Sequence, residues 1–455
     1  MNIVIIGTGY VGLVSGVCFA EIGNNVVCVD NNLQKIEQLK TGTPTIYEDQ
    51  LEGLLKKNIS EGRLTFAAGL SSVIDSADLV FVAVGTPEKD NGETDLSYIL
   101  GVAKGIAESA NKDVYVVIKS TVPVGTKQKV EDEFYKTTSS LDKDIKIFVS
   151  SNPEFLREGT SIYDFMNPDR IVIGTDDEVS KSKLEKLYSL FAENAAVTPY
   201  ILYTSVASAQ LIKYASNAFN ACKISFINSL AEYCSAVDAN IEEVALGMGL
   251  DKRIGTAFLK AGIGYGGSCF PKDIASLSHE IEVKTEGKRN KLLDAIEYEN
   301  GNARWFVSNT LHDLTRDKKI DKNATVAILG LAFKPGTDDV RHAPALDIIE
   351  EESYYYKMKL YDPVALHNAT VALNSDKYEE VEFYNIEFCN SIEAAVTDAD
   401  VIVICTEWPE FKNMDLNWIK SLMKGNTIID GRNIFDRDTI SKDFNYYCVG
   451  KKHIE

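Results

Sequence analysis

Short runs of β-branched and aliphatic residues alternate with longer stretches of mixed polarity through the first 150 residues. Ile3–Ile6, Val26–Val29, Leu79–Val84, Val114–Ile118 and Ile147–Val149 read as buried strands, and the segments between them as amphipathic helices. That alternation predicts a parallel sheet covered by helices on both faces. Asp169–Gly174 predicts one more strand. From Tyr203 to Val237 there is neither Pro nor Gly, and Leu211, Ala215, Ala218, Phe219 and Cys222 recur at helical spacing. The pattern predicts one long helix, with more helix after Asp273.

The strand–helix alternation restarts at Thr325. Ile3-Val4-Ile5-Ile6-Gly7 resembles Val326-Ala327-Ile328-Leu329-Gly330 at an offset of 323 (330 − 7), and Ala77–Val82 resembles Ala399–Ile404 at 322 (399 − 77). Asp30 closes the second strand of the first block, as Asp362 closes Lys359-Leu360-Tyr361-Asp362 in the second. A nearly constant offset predicts two copies of one nucleotide-binding half. The expected architecture is α/β: two Rossmann-like domains with parallel-rich sheets, joined by a long central helix and a helical middle domain. The expected boundaries are 1–200, 201–310 and 311–455.

Gly7-Thr8-Gly9-Tyr10-Val11-Gly12 is a GxGxxG motif that follows a strand and opens a helix. Gly7 suits the tight turn, Gly9 the approach of a pyrophosphate, and Gly12 close packing of helix on strand. Asp30 lies 18 residues beyond Gly12 (30 − 12). A carboxylate there accepts from ribose hydroxyls and repels a 2′-phosphate, so the motif predicts NAD rather than NADP. Thr86 and Thr121 lie just past strand ends, where ligands bind in such sheets; capping of their own turns is the other reading.

Composition narrows the partners. The net charge is −20 and hydrophobic residues make up 45%, ordinary for a globular chain but unsuited to general binding of nucleic acid or anionic membrane. No apolar run reaches the ~18 residues a membrane span needs, and the first residues carry no leader pattern. Eight scattered cysteines without a CxxC pair point to reduced thiols in the cytoplasm, and five histidines without ligand spacing point to no metal site.

Gly262–Asp273 (GIGYGGSCFPKD) is the most unusual stretch. Its glycines let backbone approach a ligand, and Cys269 has Lys272 and Asp273 beside it. A neighbouring cation favours the nucleophilic thiolate, although most cysteines are small buried hydrophobes. Lys213 and Asn217 are four apart on the predicted helix and share a face. Together they suit stabilisation of an oxyanion, or else form a solvated stripe. Glu154 and Glu158, in Asn152–Gly159, are either paired functional carboxylates or acidic residues of a helix start.

Six motifs in order, NPEFLREG, NPDRIVIG, KYASNAF, GYGGSCFPKD, GLAFKPGTDD and TEWPEF, resemble the nucleotide-sugar 6-dehydrogenases over essentially the whole chain, and TEW their bacterial UDP-glucose branch. The resemblance implies two NAD-dependent oxidations at C6 of UDP-glucose, giving UDP-glucuronate through a Cys269 thiohemiacetal and thioester. It implies Lys213 and Asn217 as oxyanion stabilisers, Asp273 as general base, and Thr121 and Glu154 as holders of the hydrolytic water. For the cofactor it implies Tyr10, Val11, Asp30, Lys35, Thr86, Thr121, Glu158, Lys272 and Arg341. For the substrate it implies Glu154, Phe155, Leu156, Arg157 and Glu158; Lys213 and Asn217; Phe258, Leu259, Lys260, Ala261 and Gly262; Gly266, Lys334 and Arg432. Arg253 would reach the diphosphate across a homodimer interface. The chain departs from the family pattern at Asp49-Gln50, Ser229 and His342. Competing readings are a relative that oxidises GDP-mannose or a UDP-N-acetylhexosamine, and a redox-sensing NAD-binding protein without turnover.

Overall fold

β-branched runs become the strands of two sheets in a computed structural model that describes residues 1–89, 91–194 and 198–453, with backbone alone for 192–194. In the first sheet the strands are β1 (Asn2–Ile6), β2 (Asn25–Val29), β3 (Leu64–Ala67), β4 (Leu79–Val82), β5 (Val114–Ile118), β6 (Ile147–Ser151), β7 (Arg170–Gly174) and β8 (Tyr200–Thr204). Their order is β3-β2-β1-β4-β5-β6-β7-β8. Only the β6–β7 pairing is antiparallel among these strands. In the second sheet β9 (Thr325–Leu329), β10 (Lys357–Tyr361), β11 (Ile386–Phe388), β12 (Val401–Ile404), β13 (Thr427–Asp430) and β14 (Asn445–Cys448) are ordered β11-β10-β9-β12-β13-β14, all parallel. The first six strands of the first sheet and all six of the second share one winding, 3-2-1-4-5-6. The pseudo-repeat in sequence is a repeat in topology.

The structure divides into two compact units, Met1–Ser216 with Ala275–Gly287, and Asn217–Ile274 with Lys288–Glu455. In the first, Phe19, Phe81, Phe165, Tyr188 and Phe191 pack as a tilted and edge-on aromatic cluster under the sheet. In the second, β9, β12 and β13 are almost wholly buried, which explains their continuous apolar runs.

The single helix expected over Tyr203–Val237 is a correction. Tyr200–Thr204 instead pairs in parallel with Arg170–Gly174, so its backbone groups are satisfied by the sheet. The helix then runs over Val206–Ser229 and stops, and a second helix covers Ala231–Ala236. At the break the Ser229 hydroxyl donates to the Phe226 carbonyl at 2.7 Å, a local bond that competes with the helical ladder. Helices follow at Phe270–Lys284 and Lys291–Arg316. Gln50, one of the residues at which the chain departs from the family pattern, holds a left-handed φ of 64°.

Candidate active site

β1 delivers the chain into the Gly7 turn, and the helix Tyr10–Glu21 starts three residues later. Gly7 has φ +99°, and a Cβ there would meet the Ala83 carbonyl oxygen at 2.6 Å. A Cβ on Gly9 would meet nothing within 4 Å. The turn is tight and its outer side open, and no side chain caps the helix start. That is a fit for a pyrophosphate at the positive end of a helix.

Asp30 follows β2 and accepts hydrogen bonds from Thr8 N at 2.9 Å, Thr8 Oγ1 at 2.6 Å and Asn32 N at 2.9 Å. Burial pushes its pKa up, but these bonds and the charge of Lys35 outweigh it and hold the carboxyl below its ordinary range. It is an anion half open to solvent, which fits a ribose. Tyr10 lends its hydroxyl as acceptor to Gly159 N at 2.8 Å, and Val11 packs on the core. Thr86 Oγ1 donates to the Thr121 carbonyl at 2.8 Å. Thr86 thus ties the loop after β4 to the loop after β5 and does not cap its own turn through this bond.

Past β6, residues 152–160 form a loop, and helix begins only at Ser161, so the acidic helix start is a second correction. The loop is tied down from outside: Glu48 accepts from Gly159 N at 2.8 Å and Ser161 N at 2.7 Å. Glu154 and Lys213 are 5% and 3% exposed and form an ion pair at 2.7 Å. Glu154 Oε2 also accepts from Leu156 N at 2.6 Å. Burial raises the Glu154 pKa, but Lys213, Leu156 N and Lys119 together hold it below the usual value. Lys213 is no solvated stripe. The Phe155 ring stacks under the Arg170 guanidinium at 3.9 Å, Leu156 packs on the core, and Arg157 forks onto Asp164. Glu158 is half-buried, as is Lys35.

In the second unit Cys269 immediately precedes the helix Phe270–Lys284. Six of the eight cysteines are buried, whereas Cys269 and Cys222 are half-buried. Burial pushes Cys28, Cys405 and Cys448 up to about 12, far from thiolate at neutral pH. Within the first turn beyond Cys269, Asp273 is 1% exposed and receives Lys272 Nζ on Oδ1 and Asn217 Nδ2 on Oδ2, each at 2.6 Å. Lys213 and Asn217 lie one turn apart on the helix Val206–Ser229. The glycines before Cys269 serve the protein's own packing. A Cβ on Gly266 would lie 2.2 Å from the His342 carbonyl oxygen, and Gly267 N donates to the Arg341 carbonyl at 2.7 Å. Arg341 is thus brought beside the cysteine loop, its guanidinium exposed and paired with Asp339.

Arg432 joins the same loop: Nη1 donates to the Gly264 carbonyl at 2.9 Å and Nε to the Cys405 carbonyl at 2.7 Å. Its Nη2 is buried without a hydrogen-bond partner among the described residues. An unsatisfied guanidinium N–H fits an incoming phosphate or carbonyl oxygen. Of the segment before Gly264, Leu259 and Ala261 are buried, Lys260 is exposed, Gly262 N donates to Asn228 Oδ1, and Phe258 packs on Phe270. Lys334 lies over the Phe333 ring. Arg253 stands exposed and paired with Asp251. Sequence reasoning passed over Thr8, Glu48 and Lys119. For Lys119 a signal exists: a lysine directly after the apolar run Val114–Ile118, at the strand edge where ligands bind.

The comparisons agree over the whole length. Residues 1–192, 207–302 and 327–437 match the NAD binding, central and UDP binding domains of the UDP-glucose/GDP-mannose dehydrogenase family. The UDP-glucose 6-dehydrogenase TuaD of Bacillus subtilis is 44% identical over 453 residues, 99% of this chain and 93% of that one. The UDP-glucose 6-dehydrogenase of Pseudomonas aeruginosa is 41% identical, covering 99% and 98%. The solved UDP-glucose dehydrogenase of Pyrobaculum islandicum has a TM-score of 0.85 at 32% identity, covering 99% and 98%. No helix among the described residues is long and apolar enough to cross a membrane. With its turn, carboxylate and cysteine loop in place, this chain belongs to the UDP-glucose/GDP-mannose dehydrogenase family.

Proposed function

We propose that the chain oxidises UDP-glucose twice at C6 to UDP-glucuronate, consuming two NAD+. The observation that carries the chemistry is the buried Asn217–Asp273 pair, joined by the half-buried Lys272, one helical turn beyond a half-buried cysteine. The Gly9 turn, Asp30, Lys35 and the Thr86 loop would hold NAD+, which when bound accepts one hydride per oxidation. Arg432, Lys334 and the 258–262 segment would hold the nucleotide.

The second oxidation needs a nucleophile, because an aldehyde carbon carries no hydroxyl to drive out a hydride. Cys269, at the positive end of its helix, adds through sulfur to the C6 aldehyde and gives a thiohemiacetal. Lys213 and Asn217 hold the charge that develops on oxygen. Loss of hydride leaves a thioester on Cys269. Water then attacks, Asp273 takes its proton, the C–S bond breaks, and the acid leaves with the thiolate restored. Thr121 and Glu154 position that water.

Phe219, Phe226 and Tyr233 stand exposed at a seven-residue spacing, an apolar stripe that supports a homodimer. Free thiols at all eight cysteines support a cytoplasmic site of action. The test is stoichiometry. Two NADH per UDP-glucose are expected, with little or no turnover of GDP-mannose or UDP-N-acetylhexosamines. Cys269→Ala should abolish acid formation while NAD+ still binds. Wild-type yields of acid from that variant would overturn the covalent route.

A further inference from the structure

Beside the buried Lys213–Glu154 pair of the first unit, a second buried lysine holds the start of the loop that carries Glu154. Lys119 follows β5 and is 4% exposed. Its Nζ donates to Asn152 Oδ1 at 3.3 Å and lies 5.6 Å from the centre of the Phe165 ring. Asn152 begins the loop that carries Glu154, and register explains the meeting. Ile118 pairs with Ser151, and Asn152 N donates to the Ile118 carbonyl at 2.9 Å. Asn152 is pinned on every side, since Nδ2 donates to the Val172 carbonyl and Oδ1 also accepts from the Tyr188 hydroxyl.

We propose that Lys119 is a positioning residue for Glu154: a second, immobile ammonium ion that keeps this carboxylate ionised while Lys213 turns its charge toward oxygen at C6. The inference rests on the roles given to Glu154 and Lys213 above. A buried carboxylate that loses its cation partner takes up a proton unless another charge remains. Lys213 has such a second task. Lys119 has none, for its ammonium is locked against Asn152 and the Phe165 ring. The charged and titratable groups around it are Glu154 on the loop, Lys213 on its helix and the Cys18 thiol on the helix Tyr10–Glu21, with Tyr188 behind Asn152. Burial, and then Lys213, pull the Lys119 pKa down while Glu154 supports it, to about 8, which leaves the ammonium the main form at neutral pH. A lysine so enclosed costs the fold desolvation that a methionine would not, which asks for a reason beyond packing.

The test uses the full-length enzyme with UDP-glucose and NAD+. Lys119→Gln keeps a donor for Asn152 without the charge, Lys119→Met removes both, and Lys119→Arg keeps the charge. In the two neutral variants the acid limb of the kcat profile should move up by about one pH unit or more. KM for UDP-glucose should stay within about twofold, and Lys119→Arg should restore the limb. In a Glu154→Gln background, adding Lys119→Gln should change kcat by less than about twofold. A pH-independent fall in kcat, full additivity in the double variant, or loss of fold in both neutral variants overturns the proposal. An unchanged kcat in Glu154→Gln alone overturns the reading beneath it, and the proposal falls with it.

Discussion

Gly7 and Gly330 occupy equivalent turns after β1 and β9, both at φ +99°, yet the carboxylates paired with those turns live in opposite surroundings. Asp30 is half-exposed and, among the described residues, accepts hydrogen bonds from Thr8 and Asn32. Asp362 is 3% exposed and accepts five hydrogen bonds: from Leu331 N, Ala332 N and Trp408 Nε1 on one oxygen, and from Val364 N and Ala365 N on the other. The helices differ too. One begins three residues after Gly7 (10 − 7), whereas the next after Gly330 begins at Pro344, fourteen residues on (344 − 330). The first copy therefore has an open carboxylate close to a helix start. The second has turned the same carboxylate inward as a structural acceptor. A shared winding puts both carboxylates at equivalent strand ends, and their surroundings decide which of them stays open.

The comparison predicts opposite phenotypes for matched substitutions. The largest effect is expected from Asp362→Ala, which strands five donors in the interior and should cost about 3–5 kcal/mol of stability. Thermal unfolding reads it, with NAD+ affinity unchanged in the protein that remains folded. A loss below ~1 kcal/mol would mean that Asp362 is not the structural acceptor described. Asp30→Ser should act the other way. Stability should stay within about 1 kcal/mol, while KM for NAD+ should rise roughly tenfold, equivalent to about 1.4 kcal/mol, and discrimination against NADP+ should relax. Unchanged cofactor preference would count against the ribose role. The smallest effect is expected from Trp408→Phe, which removes one of the five donors and keeps most of the ring. About 0.5–1.5 kcal/mol should be lost, with no change in NAD+ binding. Any effect on NAD+ would reopen the second half as a cofactor site.

Much of the candidate site was legible because it depends on local spacing. The Gly7 turn, Asp30 at a strand end, the Lys213–Asn217 helical pair and the Cys269 loop each lie within a few residues or one element. What escaped notice depended on partners distant in sequence. Thr8 is an unremarkable residue between two glycines until Asp30 arrives against it. Glu48 ties down a loop 111 residues away. Lys119 acquires its meaning from Asn152, 33 residues on, once β5 and β6 pair. The last two residues of strand β8, Tyr203 and Thr204, fall in the predicted helix because no Pro or Gly separates them from the residues that follow, and their strand pairing is with the distant β7.

Periodicity and glycine spacing in this chain alone determined a doubled, parallel α/β architecture, an NAD-type turn at its start and a thiol-bearing loop late in its middle. Those follow from backbone sterics and side-chain period, which act over a few residues. Only the folded molecule decided that Lys213 is buried against Glu154, that the glycines before Cys269 make room for residues 341–343, and that Asp362 is closed where Asp30 is open. Burial and charge compensation are set by which strands lie side by side, and that is a property of the whole fold.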